Sequence, residues 1–175
     1  MLVKTYCAAV NGLDVTTVTI EVSLTKGVMF RMTGLGDTAV REGRDRMAAA
    51  LVNNGYLFPN ADITVNMAPA DLRKEGSGFD LPLAIGVLAA SKQIEPVGLD
   101  RIMLVGELGL DGSLQPVKGA LPIAMRAKAD GFVALVVPQQ NVREAAVVEG
   151  IRVYGMSQMK EVISMITGQE RFQPV

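Results

Sequence analysis

Three observations predict an α+β domain of mixed α/β type. The first thirty residues read as strands, with Val15 to Ser23 alternating β-branched and polar side chains. From Asp37 onward, amphipathic or apolar helical stretches alternate with short β-branched runs. No internal repeat or low-complexity segment interrupts that order. Strands first and alternation afterwards is the pattern of a mixed sheet partly covered by helices.

Each element has a local reason. Val3 to Val10 is a strand, and Asn11-Gly12 turns it into the second strand. Lys26-Gly27 turns the chain again into Val28 to Met32, so the opening is expected to be an antiparallel meander. After Thr33-Gly34-Leu35-Gly36, Asp37 caps a helix that runs to about Asn53, with Val40, Met47 and Leu51 on its apolar stripe. Arg41, Arg44 and Asp45 lie off that stripe, and Gly55 suits the left-handed position beyond the helix end. Ile63 to Met67 is a strand, followed by a charged loop from Ala68 to Gly78. Asp80 is placed to cap the next helix, with Pro82 in its first turn. Leu81 to Ala90 is apolar all round and is expected to be buried. Strands follow at Ile102 to Val105, Leu114 to Val117, Val133 to Val137 and Ile151 to Tyr154. Helices are expected at Leu121 to Ala129, after an Asn141/Glu144 capping box, and from Ser157 to near Gly168. Residues 169–175 read as a linker.

Composition excludes several functions. The 175 residues suit one domain, 49% of them are apolar, and with no Trp the core must be largely aliphatic. The 17 basic and 18 acidic residues give a net charge of −1, so nucleic-acid binding would need a local patch or many copies. With no His and one Cys, a typical zinc site is nearly excluded, and Ser-His or Cys-His nucleophile pairs lack their base. The single Cys7 forbids an internal disulfide and fits a reducing compartment. No apolar stretch is long enough to span a membrane and the first residues make no signal peptide, so a cytoplasmic protein is expected.

Three stretches invite a chemical reading. Gly34-Leu35-Gly36-Asp37-Thr38-Ala39 fits a dinucleotide fingerprint by letter, but Asp37 would set a carboxylate where a pyrophosphate belongs. A tight turn before a capped helix is the better account. No Gly-Lys-Ser or Gly-Lys-Thr occurs, so a phosphate-binding Walker A loop is not expected. The loop Asp71 to Pro82 and the glycine-punctuated stretch Gly106 to Gly119 both lead into helices. Their backbone N–H groups are candidates for holding an anion, against the plainer account of solvated capping loops.

The run Asn66-Met67-Ala68-Pro69-Ala70-Asp71-Leu72-Arg73-Lys74-Glu75-Gly76, then Phe79-Asp80-Leu81-Pro82, is very similar to a motif of the Mg-chelatase-like AAA+ ATPases of the ComM/YifB type. Gly34 to Glu42, Val105 to Leu108 and Asp111 to Leu114 fit the same family, and the resemblance spans residues 1–168. It implies an N-terminal ChlI-like domain with the fold of the Lon proteolytic domain, a two-layer sandwich of ribosomal-protein type. It also implies that such a domain precedes an AAA+ module, which would bring ATP and Mg as cofactors, and that the parent assembles into a ring, expected to be a hexamer. Members of the ComM type promote branch migration of DNA during natural transformation. The chain itself carries no cofactor or metal expectation.

The Lon resemblance bears on catalysis, because Lon uses a Ser-Lys dyad. In register, the nucleophile position falls on Gly78 of Lys74-Glu75-Gly76-Ser77-Gly78, and the lysine position on Leu121 of Pro116-Val117-Lys118-Gly119-Ala120-Leu121. The expectation is a domain with no catalytic residue, acting in ring assembly or regulation. Its candidate contacts to DNA or a partner are Arg73, Lys74 and Lys118, with Arg41 and Arg44 behind them. Two alternatives stand beside it, a peptidase using a shifted Ser77/Lys118 pair and a stand-alone protein-binding adaptor.

Overall fold

The computed structural model describes residues 1–175. A long hairpin opens it, β1 (Leu2–Asn11) against β2 (Asp14–Thr25), antiparallel and paired from Leu2↔Ser23 to Asn11↔Asp14. β3 (Phe30–Thr33) does not continue a meander as expected. It crosses to the far edge and runs parallel to β4 (Asp62–Ala68), which takes the place beside β2. The sheet order is therefore β1-β2-β4-β3. The reason lies between β3 and β4, where the 16-residue helix α1 (Thr38–Asn53) makes a helical crossover, the connection that parallel strands need.

Asp37 caps α1 as expected, its Oδ1 accepting the Val40 N–H at 2.8 Å. α2 (Asp80–Ala90) lies over β1 and β2 and against α1, and all eleven of its residues are buried. Full burial of a Leu, Ile or Val side chain contributes about 1.5–3 kcal/mol, so this helix anchors the layer. Asp80 was expected to cap α2, but Phe79 holds the cap position and Asp80 is the first helical residue, its carboxylate turned inward.

The second half builds a parallel sheet, order β5-β8-β9, from β5 (Ile102–Leu104), β8 (Ala134–Pro138) and β9 (Arg152–Met156). A short hairpin pairs β6 (Glu107–Leu108) with β7 (Leu114–Gln115), and β6 packs against α1 and α2. Helices α3 (Ala120–Ala129), α4 (Val142–Ala145) and α5 (Met159–Ile166) complete the chain. α5 opens with a capping box of Gln158 and Glu161. The box expected from Asn141 and Glu144 at α4 does not form. Asn141 spends its side-chain amide on Val117, and Glu144 accepts the Leu121 N–H at 3.1 Å. The expected α+β class is the observed one. Forty-three buried apolar residues form one continuous cluster from Cys7 to Ile166, so both larger sheets share a core. The tail, expected as a linker, touches the body: the Gln169 and Glu170 N–H groups donate to the Ser164 carbonyl, Phe172 packs on the core, and the Val175 N–H donates to the Val153 carbonyl at 2.9 Å. No helix is long and apolar enough to cross a membrane.

Cys7 sits in that core at 1% exposure, and burial pushes its thiol up to about 12. The reactive species is the thiolate. A thiol-specific reagent at pH 8 is therefore expected to leave the native protein untouched and to label Cys7 at an ordinary rate in denaturant. Labelling of the native protein at the denatured rate would contradict this burial.

Candidate functional site

The loop between β4 and α2 is stitched to the start of α1. Lys74 N–H donates to the Leu35 carbonyl at 2.9 Å, and Asp37 N–H returns to the Lys74 carbonyl at 2.9 Å. Asp37 also accepts the Gly76 N–H on its second carboxylate oxygen, at 3.3 Å. Gly34 shows what the glycines of the apparent fingerprint do. Its φ is +106°, and a Cβ there would stand 2.2 Å from the Met67 carbonyl oxygen. The turn answers to the neighbouring strand, in line with the turn-and-cap account of that stretch.

Beyond Gly76 the loop forms one wall of a cleft of about 530 Å3. The opposite wall is the segment from Pro116 to Lys118, and the floor includes Val10, Val105 and Ile123. Ser77 and Lys118 both line this cleft. The Ser77 hydroxyl donates to Glu107 Oε2 at 2.9 Å, and its recorded partner is that carboxylate rather than an amine. Gly78 follows on the same wall, and Leu121 lies in the first turn of α3.

Next in the chain to Phe79 of that lining is a buried ion pair that the sequence reading did not single out. Asp80 is 1% exposed and takes two bonds from Arg46, Nε to Oδ2 at 2.6 Å and Nη2 to Oδ1 at 3.0 Å. It also accepts the Leu108 N–H at 3.0 Å, which ties α2 to β6. Burial pushes the Asp80 carboxyl above the usual carboxylate range, opposed by Arg46 and the Leu108 N–H. Arg46 is raised in turn, first by its hydrogen bonds to Asp80. Gly43 makes room for the pair, since a Cβ there would lie 2.5 Å from Asp80 Oδ1. The available signal was small: a glycine three residues before an arginine on a helix face otherwise lined by apolar side chains.

The five candidate contact residues differ in exposure. Arg73 is exposed and pairs with Glu75 at 3.2 Å. Arg41 is exposed on the first turns of α1. Arg44 is half-buried, its guanidinium stacked 5.5 Å from Phe30 and 5.2 Å from Phe58, and bonded to Asp45 at 3.0 Å. Lys118 is exposed on the other wall of the cleft. Lys74 is not a surface contact at all: it is 0% exposed and its ammonium donates to the Pro69 carbonyl. Among these basic residues it alone is claimed by the interior, because its loop folds back on itself.

Burial holds the Lys74 amine below its ordinary 10.5, with Asp71 opposing. The folded-state value is thus below the unfolded one. The unfolded chain binds more protons in the window between them, so stability rises with pH there. Wild type is therefore expected to gain stability relative to Lys74→Met as pH rises from 7 toward 10.5, read as a shift in the urea midpoint. A difference that stays constant or moves the other way would contradict this burial.

A profile described as subunit ChlI of Mg-chelatase matches residues 20–141. The chain is 40% identical over 167 residues to competence protein ComM of Haemophilus influenzae Rd, covering 95% of this chain and 33% of that protein. It is 39% identical over 166 residues to the uncharacterized protein YifB of Escherichia coli K12, covering 94% of this chain and 33% of that protein. A fainter likeness, 26% over 107 residues, reaches Lon protease 2 of Bacillus subtilis, with 60% of this chain and 19% of that protein covered. The chain spans about a third of the length of the curated ComM and YifB relatives. With the profile matching well over half its residues and two relatives near 40% identity along almost all of it, this chain belongs to the Mg-chelatase ChlI family, together with ComM and YifB.

Proposed function

We propose that the chain is a non-catalytic N-terminal domain that helps assemble or regulate an AAA+ ring of the ComM/YifB type, in a motor that remodels DNA during competence. The observation that carries this reading is the match to one third of the competence protein ComM along nearly all of this chain. The remaining two thirds would supply ATP and Mg binding, and the sister subunits of a hexamer would be the nearest partners. Two features of the cleft support the non-catalytic part. Glycine and leucine occupy the positions where the Lon resemblance would put serine and lysine, and the one nearby hydroxyl, Ser77, gives its hydrogen to Glu107. Arg41, Arg73 and Lys118 remain as exposed candidate contacts to DNA. With a net charge of −1, one domain would bind weakly and a ring would bind by summation.

The test uses the full-length gene product and the same protein lacking residues 1–168. Ring mass with ATP and Mg, ATPase rate and affinity for branched DNA are compared. The expected result is ATPase activity kept and either ring formation or DNA response lost. Identical behaviour in all three would sink the proposal. Because Ser77 and Lys118 share the cleft, casein degradation by the chain, with Ser77→Ala as control, tests the peptidase alternative. Degradation abolished by that change would favour it. Capture of a non-ATPase partner by the chain without any ring would favour the adaptor.

A further inference from the structure

The ring reading assigns no ligand to the cleft between the Glu75–Phe79 segment and the Pro116–Lys118 segment. Its volume, about 530 Å3, falls in the range of about 300–1,000 Å3 typical of ligand sites. Its floor is apolar and its lining carries Asp37, Glu75 and Glu107 beside Lys118. Glu75 is paired with Arg73 and both Asp37 oxygens accept backbone N–H groups, so Glu107 is the carboxylate left to meet a ligand. Ser77 adds to that carboxylate. Its hydroxyl hydrogen is given to Glu107, so what the pair offers the cleft is oxygen lone pairs. A phosphate would meet acceptors and like charge there, whereas an ammonium or guanidinium, which has only donors, would meet partners.

Gly78 adds an independent point. Its φ is not in the left-handed region, and a Cβ built on it would lie at ordinary distances of 3.4 Å from Val105 and 3.5 Å from Val117. Neither backbone nor packing requires glycine here, and the missing side chain leaves that wall of the cleft open.

We propose that this cleft docks an extended segment of a partner protein by a lysine or arginine side chain, without chemistry on it. The apolar stem of such a side chain suits the floor at Val10 and Val105, and its cationic head suits Glu107 and Ser77. The cleft exceeds one side chain in size, so neighbouring apolar residues of the same segment fill the rest. This inference does not depend on the ring reading, and its test uses the 175-residue chain alone.

The probe is the peptide acetyl-Ala-Leu-Arg-Leu-Ala-amide, titrated into the 15N-labelled chain beside the same peptide with Glu for Arg, and beside a twenty-residue oligothymidylate. The arginine peptide is expected to move the amide signals of Gly76, Ser77, Gly78 and Lys118, to bind less well as salt is raised, and to outcompete its glutamate counterpart. Glu107→Gln keeps an acceptor for Ser77 while removing the charge, and is expected to weaken binding about fivefold. Gly78→Leu is expected to fill the cleft and abolish binding with the circular dichroism spectrum unchanged. The proposal is overturned if no shifts appear at millimolar peptide, if they appear elsewhere on the surface, or if Glu107→Gln binds as well as wild type. It is equally overturned if the glutamate peptide or the oligothymidylate moves the same amides as strongly.

Discussion

Asp80→Ala should destabilise the domain by about 3–5 kcal/mol, the cost of leaving one member of a buried ion pair alone. The carboxylate is 1% exposed, and its loss strips Arg46 of two hydrogen bonds and Leu108 of the acceptor for its N–H. Three elements meet at that group: Arg46 on α1, Asp80 on α2 and Leu108 on β6. The measurement is the urea midpoint at unchanged slope. Replacing both partners with apolar residues of similar size, Arg46→Met with Asp80→Leu, should recover much of the loss, because no charge is then stranded. Arg46 keeps its hydrogen bond to the Ala39 carbonyl at 2.7 Å and its ion pair with Glu42 at 3.6 Å, so the double variant gives those up and recovery should be incomplete. A cost for Asp80→Ala below about 1 kcal/mol, the range of exposed pairs, would show that the bridge does not hold the layers.

Gly34→Val should be the second severe change, about 2–6 kcal/mol. One contribution is the backbone, since φ of +106° in a β-branched residue carries strain of about 1–3 kcal/mol. The other is space: the new Cβ would stand 2.2 Å from the Met67 carbonyl oxygen and 2.9 Å from Met67 C and N, and that backbone belongs to β4. Overpacking of this kind costs about 1–3 kcal/mol, and a backbone neighbour yields less readily than a side chain. Gly55→Ala is the control. That glycine also has positive φ, +84°, but nothing lies within 4 Å of its Cβ position, so only the conformational cost of about 1–2 kcal/mol remains. Equal losses at the two sites would show that crowding against β4 is not what fixes Gly34.

Much of the fold was legible because its signals are local. The alternation in Val15 to Ser23, the Asp37 cap and the apolar run Leu81 to Ala90 each carry their own physical reason, and each is observed. What misled was partner choice. A turn after Thr25 looks the same in sequence whether β3 returns beside β2 or crosses to the far edge, and the helix that decides it comes later in the chain. The polar side chains failed in the same way. Asp80 and Asn141 stand at helix starts, where capping is the local option, but both were taken by groups distant in sequence, Arg46 and Val117. Lys74 reads as a charged loop residue, and only the closure of its loop onto the Pro69 carbonyl buries it. Of the cleft, the sequence exposed Ser77 and Lys118 as neighbours of interest, but Glu107 as the partner of Ser77 had no marker in the spacing.

Asn141 has a consequence for how the cleft moves. Its side-chain amide meets both backbone groups of Val117, accepting from the N–H and donating to the carbonyl, each at 2.9 Å, much as an adjoining strand would. That amide belongs to the connection after β8, so one wall of the cleft breathes with the parallel sheet rather than with its own loop. Hydrogen exchange should record this as a slow Val117 amide beside a fast Lys118 amide, and Asn141→Ala should bring Val117 up to the rate of its neighbour.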